Sequence, residues 1–88
     1  MINKEFDYCD GITGFVKIEI SKSKQYKFLC WEFSIEEKGG EIILSGSDSD
    51  RFPIETTAAS MRKFATELAN DKRALMDKAF ADWQGGAQ

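Results

Sequence analysis

Five carboxylates, Glu36, Glu37, Glu41, Asp48 and Asp50, crowd into residues 36–50, and they are the residues best placed by type and spacing to do chemistry. Paired carboxylates can shuttle protons or hold a cation, but only when they converge on one point. Adjacent strand residues alternate faces, so Glu36 and Glu37 point apart. Asp48-Ser49-Asp50 begins like a calcium loop, yet the glycine and the distal glutamate that complete such a loop are missing. Histidine is absent, which removes the usual general base and the commonest metal ligand. The two cysteines, Cys9 and Cys30, are too few for a structural zinc site, and neither lies in a CxxC. No phosphate-cradling GxxxxGK[ST] or GxGxxG occurs. We therefore expect no catalytic, cofactor or metal residues, and no enzyme.

Binding chemistry is what remains. The carboxylates form an anionic patch suited to a basic partner, with charge steering the encounter. Trp31 and Phe33 lie beside them in the sequence and supply apolar anchors, aromatics being enriched at interface cores. The plainer account of the same acids is a solvated edge kept from pairing by its charge. The candidate partner-binding set is thus Trp31, Phe33, Glu36, Glu37, Glu41, Asp48 and Asp50.

The elements that must position these residues are legible from period. Residues 4–9 alternate as a short leading strand that ends at Asp10-Gly11. Over 13–21, Val16, Ile18 and Ile20 share one face, with Phe15, Lys17 and Glu19 on the other. The third strand, 25–37, is the most aromatic stretch of the chain. A loop closed by Gln25 sets Ile20 opposite Tyr26, Ile18 opposite Phe28 and Val16 opposite Cys30, with Phe15 across from Trp31. The apolar positions of this strand slip phase, even through Cys30 and odd from Trp31 onward. Either a bulge at Leu29-Cys30-Trp31 restores one inner face, which we favour, or the sheet buries opposite faces at its two ends. Gly39-Gly40 makes a tight turn that sets Ile35 opposite Leu44 in a fourth strand, 41–46.

Ser45 to Pro53 reads as a loop by composition, and the period then changes from two to 3.6. Residues 56–84 are helical, capped by Thr56 or Thr57 and ended by Gly85-Gly86. The apolar stripe of Ala58, Met61, Phe64, Ala65 and Leu68 breaks at Ala69–Arg73 and resumes at Leu75, Met76, Ala79, Phe80 and Trp83. A straight helix of that length would overhang strands of eight residues, so two helices, or one kinked near Asn70, are expected. The fold class is α+β: an antiparallel three- or four-stranded meander followed by a C-terminal helical segment packed on one face.

The chain of 88 residues is expected to be one domain, with 42% hydrophobic residues and mixed-sign charge enough for a folded core. The N-terminus carries no apolar leader segment and no apolar run reaches membrane-spanning length, so a cytoplasmic protein with reduced cysteines is expected. Charge is uneven: residues 1–55 hold eleven acids and seven bases, residues 56–88 four acids and five bases. That bias argues against direct nucleic-acid binding, which needs a basic field. The leading expectation is a non-catalytic acidic module that inhibits or adapts another protein with a basic surface. In size and charge the chain resembles the small inhibitors encoded by phages and mobile elements, anti-CRISPR and anti-restriction proteins among them; no residue motif accompanies that likeness. Two alternatives follow from other features: a nucleic-acid-binding module using Arg62, Lys63, Lys72, Arg73 and Lys78, and a self-associating structural protein or homodimer.

Overall fold

The computed structural model describes residues 1–9 and 11–86. Four strands, β1 (Ile2–Cys9), β2 (Ile12–Lys22), β3 (Tyr26–Glu37) and β4 (Ile42–Pro53), pair antiparallel in the order β1-β2-β3-β4, and one helix follows, α1 (Ala58–Gly86). The α+β meander with a C-terminal helix is as the sequence predicts. Asp10 of the first expected turn lies outside the described residues.

Pairing of β2 with β3 departs from the expected register by three residues. Ile20 faces Leu29, Ile18 faces Trp31 and Val16 faces Phe33, in unbroken register from Ile12↔Glu37 to Lys22↔Lys27. The cause is local. Ser23 Oγ accepts from the Tyr26 backbone N–H at 3.2 Å, and Ser23 N–H donates to the Tyr26 carbonyl at 2.8 Å. That wider turn makes Lys22–Lys27 the closing pair, and an odd shift exchanges the faces of β3. The bulge favoured at Leu29-Cys30-Trp31 is therefore absent. Leu29, Trp31, Phe33 and Ile35 face the helix along the whole strand, while Tyr26 and Phe28 project from the opposite face at one end. Irregularities occur elsewhere, between Asp7 and Cys9 and between Ile35 and Glu36. The second hairpin keeps the expected Ile35–Leu44 pair and the Gly39-Gly40 turn, whose residues adopt φ of 105° and 93°, conformations that glycine reaches without strain. It does not close as a two-residue turn with Lys38 opposite Glu41: beyond the irregularity Glu36 faces Ile42, and the Glu37 N–H bonds the Glu41 carbonyl.

Ser45 to Pro53 is not a loop. β4 continues through it, pairing from Leu44 with Ile35 to Pro53 with Tyr26. Serine and aspartate are poor strand formers in isolation, but an edge strand needs only one ladder, and the neighbouring β3 supplies it.

The helix is likewise continuous, which overturns the expected break near Asn70. Twenty-nine residues rise about 43 Å, and the eleven- and twelve-residue strands β2 to β4 span about 37–40 Å, so the rod and the sheet match in length. Thr57 caps it, its Oγ1 accepting from the Ser60 N–H at 3.1 Å. The inward stripe runs Met61, Ala65, Ala69, Met76 and Phe80, with Lys72 filling the slot between. Asn70 and Asp71 point outward, and Leu75, expected inside, is 47% exposed. Against that stripe lie Ile12, Val16 and Ile18 of β2 and Leu29, Phe33 and Ile35 of β3, forming the core. Each fully buried aliphatic here contributes on the order of 1.5–3 kcal/mol.

Helix α1 crosses the sheet diagonally. Near its start Phe64 stacks on Phe52 of β4 at 5.1 Å, and near its end Phe80 stacks on Tyr8 of β1 at 4.6 Å. The Lys27 ammonium donates to the Thr56 carbonyl and ties the helix start to β3.

A candidate protein-binding surface

The helix covers one face of the sheet and leaves the other open. With even residues of β2 turned to the helix, the register fixes what the open face displays. One row reads Asn3, Lys17, Glu32, Ser47; the next reads Glu5, Phe15, Ser34, Ser45; a third begins Asp7, Thr13, Glu36. Toward the other end come Glu19 with Cys30, then Ser21 with Phe28 and Arg51. Among the described residues of this face, five carboxylates (Glu5, Asp7, Glu19, Glu32 and Glu36) stand against two cationic groups, Lys17 and Arg51. Both cations are engaged locally: Lys17 Nζ lies 3.3 Å from a Glu19 oxygen, and the Arg51 guanidinium sits 4.5 Å from the Tyr26 ring centre. Phe15, Phe28 and Tyr26 are half-buried, each showing part of a ring among the polar groups. A shallow depression of about 510 Å³ runs over the middle of the face, bounded by Phe15, Lys17, Glu32, Glu36 and Ser45.

The seven residues expected from sequence do not form one surface. Glu36 alone is on the open face, where Ser34 Oγ donates to its Oε1 at 3.5 Å. Trp31 and Phe33 are on the helix side. Phe33 is buried and stacks on Trp31 at 5.9 Å, and the Lys72 ammonium lies 4.0 Å from the Trp31 ring centre. Trp31 is half-buried, and its buried indole N–H has no acceptor among the described residues. Asp48 and Asp50 are also on the helix side, opposite Trp31 and Leu29, at the exposed margin that β4 forms. Glu37 and Glu41 meet at the hairpin end, where the Glu37 N–H donates to the Glu41 carbonyl at 2.7 Å. A side-chain hydrogen bond to Glu41, which the Glu37 carboxyl can donate only when protonated, pushes that carboxyl above the ordinary range, with desolvation and like-charge repulsion adding to it.

Sequence reasoning passed over Glu5, Asp7, Glu19 and Glu32 as site residues. The outward alternation of Phe15, Lys17 and Glu19 was the available signal. It located one row, and the β1 and β3 registers were needed to place the rest beside it.

Elsewhere, the helix bases are partly spoken for. Lys72 covers Trp31, and the Arg73 guanidinium lies 3.7 Å from the Phe6 ring centre while its Nε meets Asp77 at 3.0 Å. Asp77 also accepts from the Tyr8 hydroxyl at 2.8 Å. Cys9 and Cys30 are free thiols. Among the described residues no His, Cys, Asp or Glu cluster could hold a metal ion, and no helix is long and apolar enough to cross a membrane. No protein-family model matches the chain, and no curated protein or solved structure is detectably similar to it.

Proposed function

We propose that this is a non-catalytic protein-binding module that inhibits or adapts a partner with a basic surface, in the manner of small phage-encoded inhibitors. The observation that supports this most is the uncovered sheet face, where carboxylates outnumber cations five to two around Phe15 and Phe28. Half-buried rings supply apolar contact at low entropic cost, and the carboxylates steer approach and reject anionic competitors. The module acts in the cytoplasm, where its thiols stay reduced. The anchors of the earlier expectation, Trp31 and Phe33, are replaced in this reading by Phe15 and Phe28.

Capture of partners from host lysate, repeated with two charge-reversed proteins, tests the reading. Glu19→Lys with Glu32→Lys alters the open face; Asp48→Lys with Asp50→Lys alters the helix-side margin by the same charge. The first pair should weaken capture at least about ten-fold, chiefly through association rate, and flatten its salt dependence. The second should change it little. Equal loss from both, or none from the first, removes the open face as the site. Binding to short duplex or single-stranded DNA at about 10 µM and low salt would instead favour nucleic acid.

A further inference from the structure

The outer side of β4 is a sheet edge, unpaired among the described residues from Ile42 to Pro53. Unpaired edges join other strands unless guarded. The two edges of this sheet are guarded differently. β1 carries Lys4, Glu5 and Asp7 and a break in register between Asp7 and Cys9. The later half of β4 carries Asp48, Asp50 and Arg51 and ends on Pro53. Its first half, Ile42–Ser47, has neither charge nor proline, and Ile42 is 58% exposed.

We propose that this half-edge pairs with the same half-edge of a second copy, the two β4 strands running antiparallel about a twofold axis at Ser45 to make one eight-stranded sheet. Such an axis stands normal to the sheet and brings like faces together, so the strand must be its own complement. It is. With the axis at Ser45, Leu44 of each copy faces Gly46 of the other on the helix side, where the Phe33 ring already fills the place of a side chain at the glycine. Ile43 meets Ser47. Moving the axis to Asp48, Ser49 or Asp50 sets carboxylate against carboxylate, which cross-strand pairing penalises. The acidic half of β4 thus excludes registers centred on itself, and at the Ser45 axis its Asp48 faces the uncharged Ile42 of the other copy. A cationic strand, by contrast, would find no charge to pair with over Ile42–Ser47. The contact uses the backbone edge and stands apart from the reading of the open face as a site for a basic partner.

Sedimentation equilibrium of the full chain between about 5 and 500 µM tests this, because a dimer must follow mass action. A monomer–dimer equilibrium is expected. Ser45→Lys, which sets two ammonium groups face to face at the axis, should weaken the dimer at least about ten-fold. Asn3→Lys makes the same charge change on the other edge and should leave the dimer intact. A monomer throughout, or a dimer indifferent to Ser45→Lys, overturns the proposal. If Ser45→Lys fails to fold, Ser45→Cys in a Cys9→Ser, Cys30→Ser background gives a second readout. Mild oxidation should link the two copies across the axis, and a folded protein that does not cross-link overturns it equally.

Discussion

Lys72 occupies a slot in the helix stripe where the period calls for an apolar side chain, and Trp31 makes that tolerable. The lysine stem lies along the helix–sheet seam, and its ammonium rests over the indole and within 5.9 Å of the Phe33 ring centre. A cation over a partly desolvated ring contributes about 0.5–2 kcal/mol, and the stem adds packing of its own. Lys72→Ala should therefore lower stability by about 1–2 kcal/mol in urea unfolding, and Lys72→Met should recover most of the loss. Asp77 is the second informative residue. Burial alone would push its carboxyl up, but the Tyr8 hydrogen bond, with the hydrogen bond and charge of Arg73, outweighs burial and holds it below the ordinary carboxylate range. A lowered folded-state value stabilises the fold above the ordinary value and loses that contribution as pH falls through the lowered one. Burial, then the hydrogen bond to Asp77 and its charge, hold the Tyr8 phenol above its ordinary value, so its contribution is present below about pH 10 and lost as pH rises beyond. Asp77→Asn should cost about 1 kcal/mol at pH 7, the site being half-exposed, and should flatten the acid limb of a Tm–pH profile below about pH 4.

Two glycines decide how the strands accept their aromatics. Gly14 of β2 is directly opposite Phe6, and Gly46 of β4 is directly opposite Phe33. In each case the ring lies where a side chain would start: a Cβ on Gly14 would strike Phe6 and Tyr8, and one on Gly46 would come within 2.7 Å of Phe33. Alanine ordinarily gains over glycine in a strand by about 0.5–1 kcal/mol. Here the order should reverse, Gly14→Ala and Gly46→Ala each lowering stability by about 1–3 kcal/mol in chemical denaturation. Neither position announces itself in the sequence, because a glycine inside a period-two run says only that something is close. The β2 face, the Ile35–Leu44 pair, the Gly39-Gly40 turn and the Thr57 cap were legible, each resting on neighbours a few residues away. The β3 phase was not, since it turned on whether Gln25 or Lys27 closed the loop, and the resulting odd shift of register exchanges every face. Helix continuity was hidden by Lys72, a charge whose apolar partner lies on another element. The strand through Ser45–Pro53 was hidden for the reverse reason: its residues disfavour a strand, and the β3 ladder overrides them.

For the whole molecule, charge and coverage are separate matters. The chain carries a net charge of −3, modest in total, but most of the sheet's acids, Glu5, Asp7, Glu19, Glu32 and Glu36, lie on the face that α1 does not cover, with Asp48 and Asp50 on the other. A field of this kind acts over roughly 8 Å at physiological ionic strength, so the capture expected of the open face should fall as salt rises from about 50 to 300 mM. The acid-rich first part of the chain was plain in the sequence; its division between the two faces was not, because register and not composition decides it. The diagonal of α1 has a further consequence for biosynthesis. The meander joins neighbours in sequence and can form as it emerges from the ribosome, but Tyr8 and Asp77 are 69 residues apart. Until the last turns of α1 leave the exit tunnel, Phe6, Tyr8 and Ile12 have nothing to lie against, so the nascent chain passes through a stage with a finished sheet and a bare apolar face. That face is closed only by the helix segment around Met76 and Phe80, so a chain stalled before that segment carries a finished sheet with its apolar side uncovered.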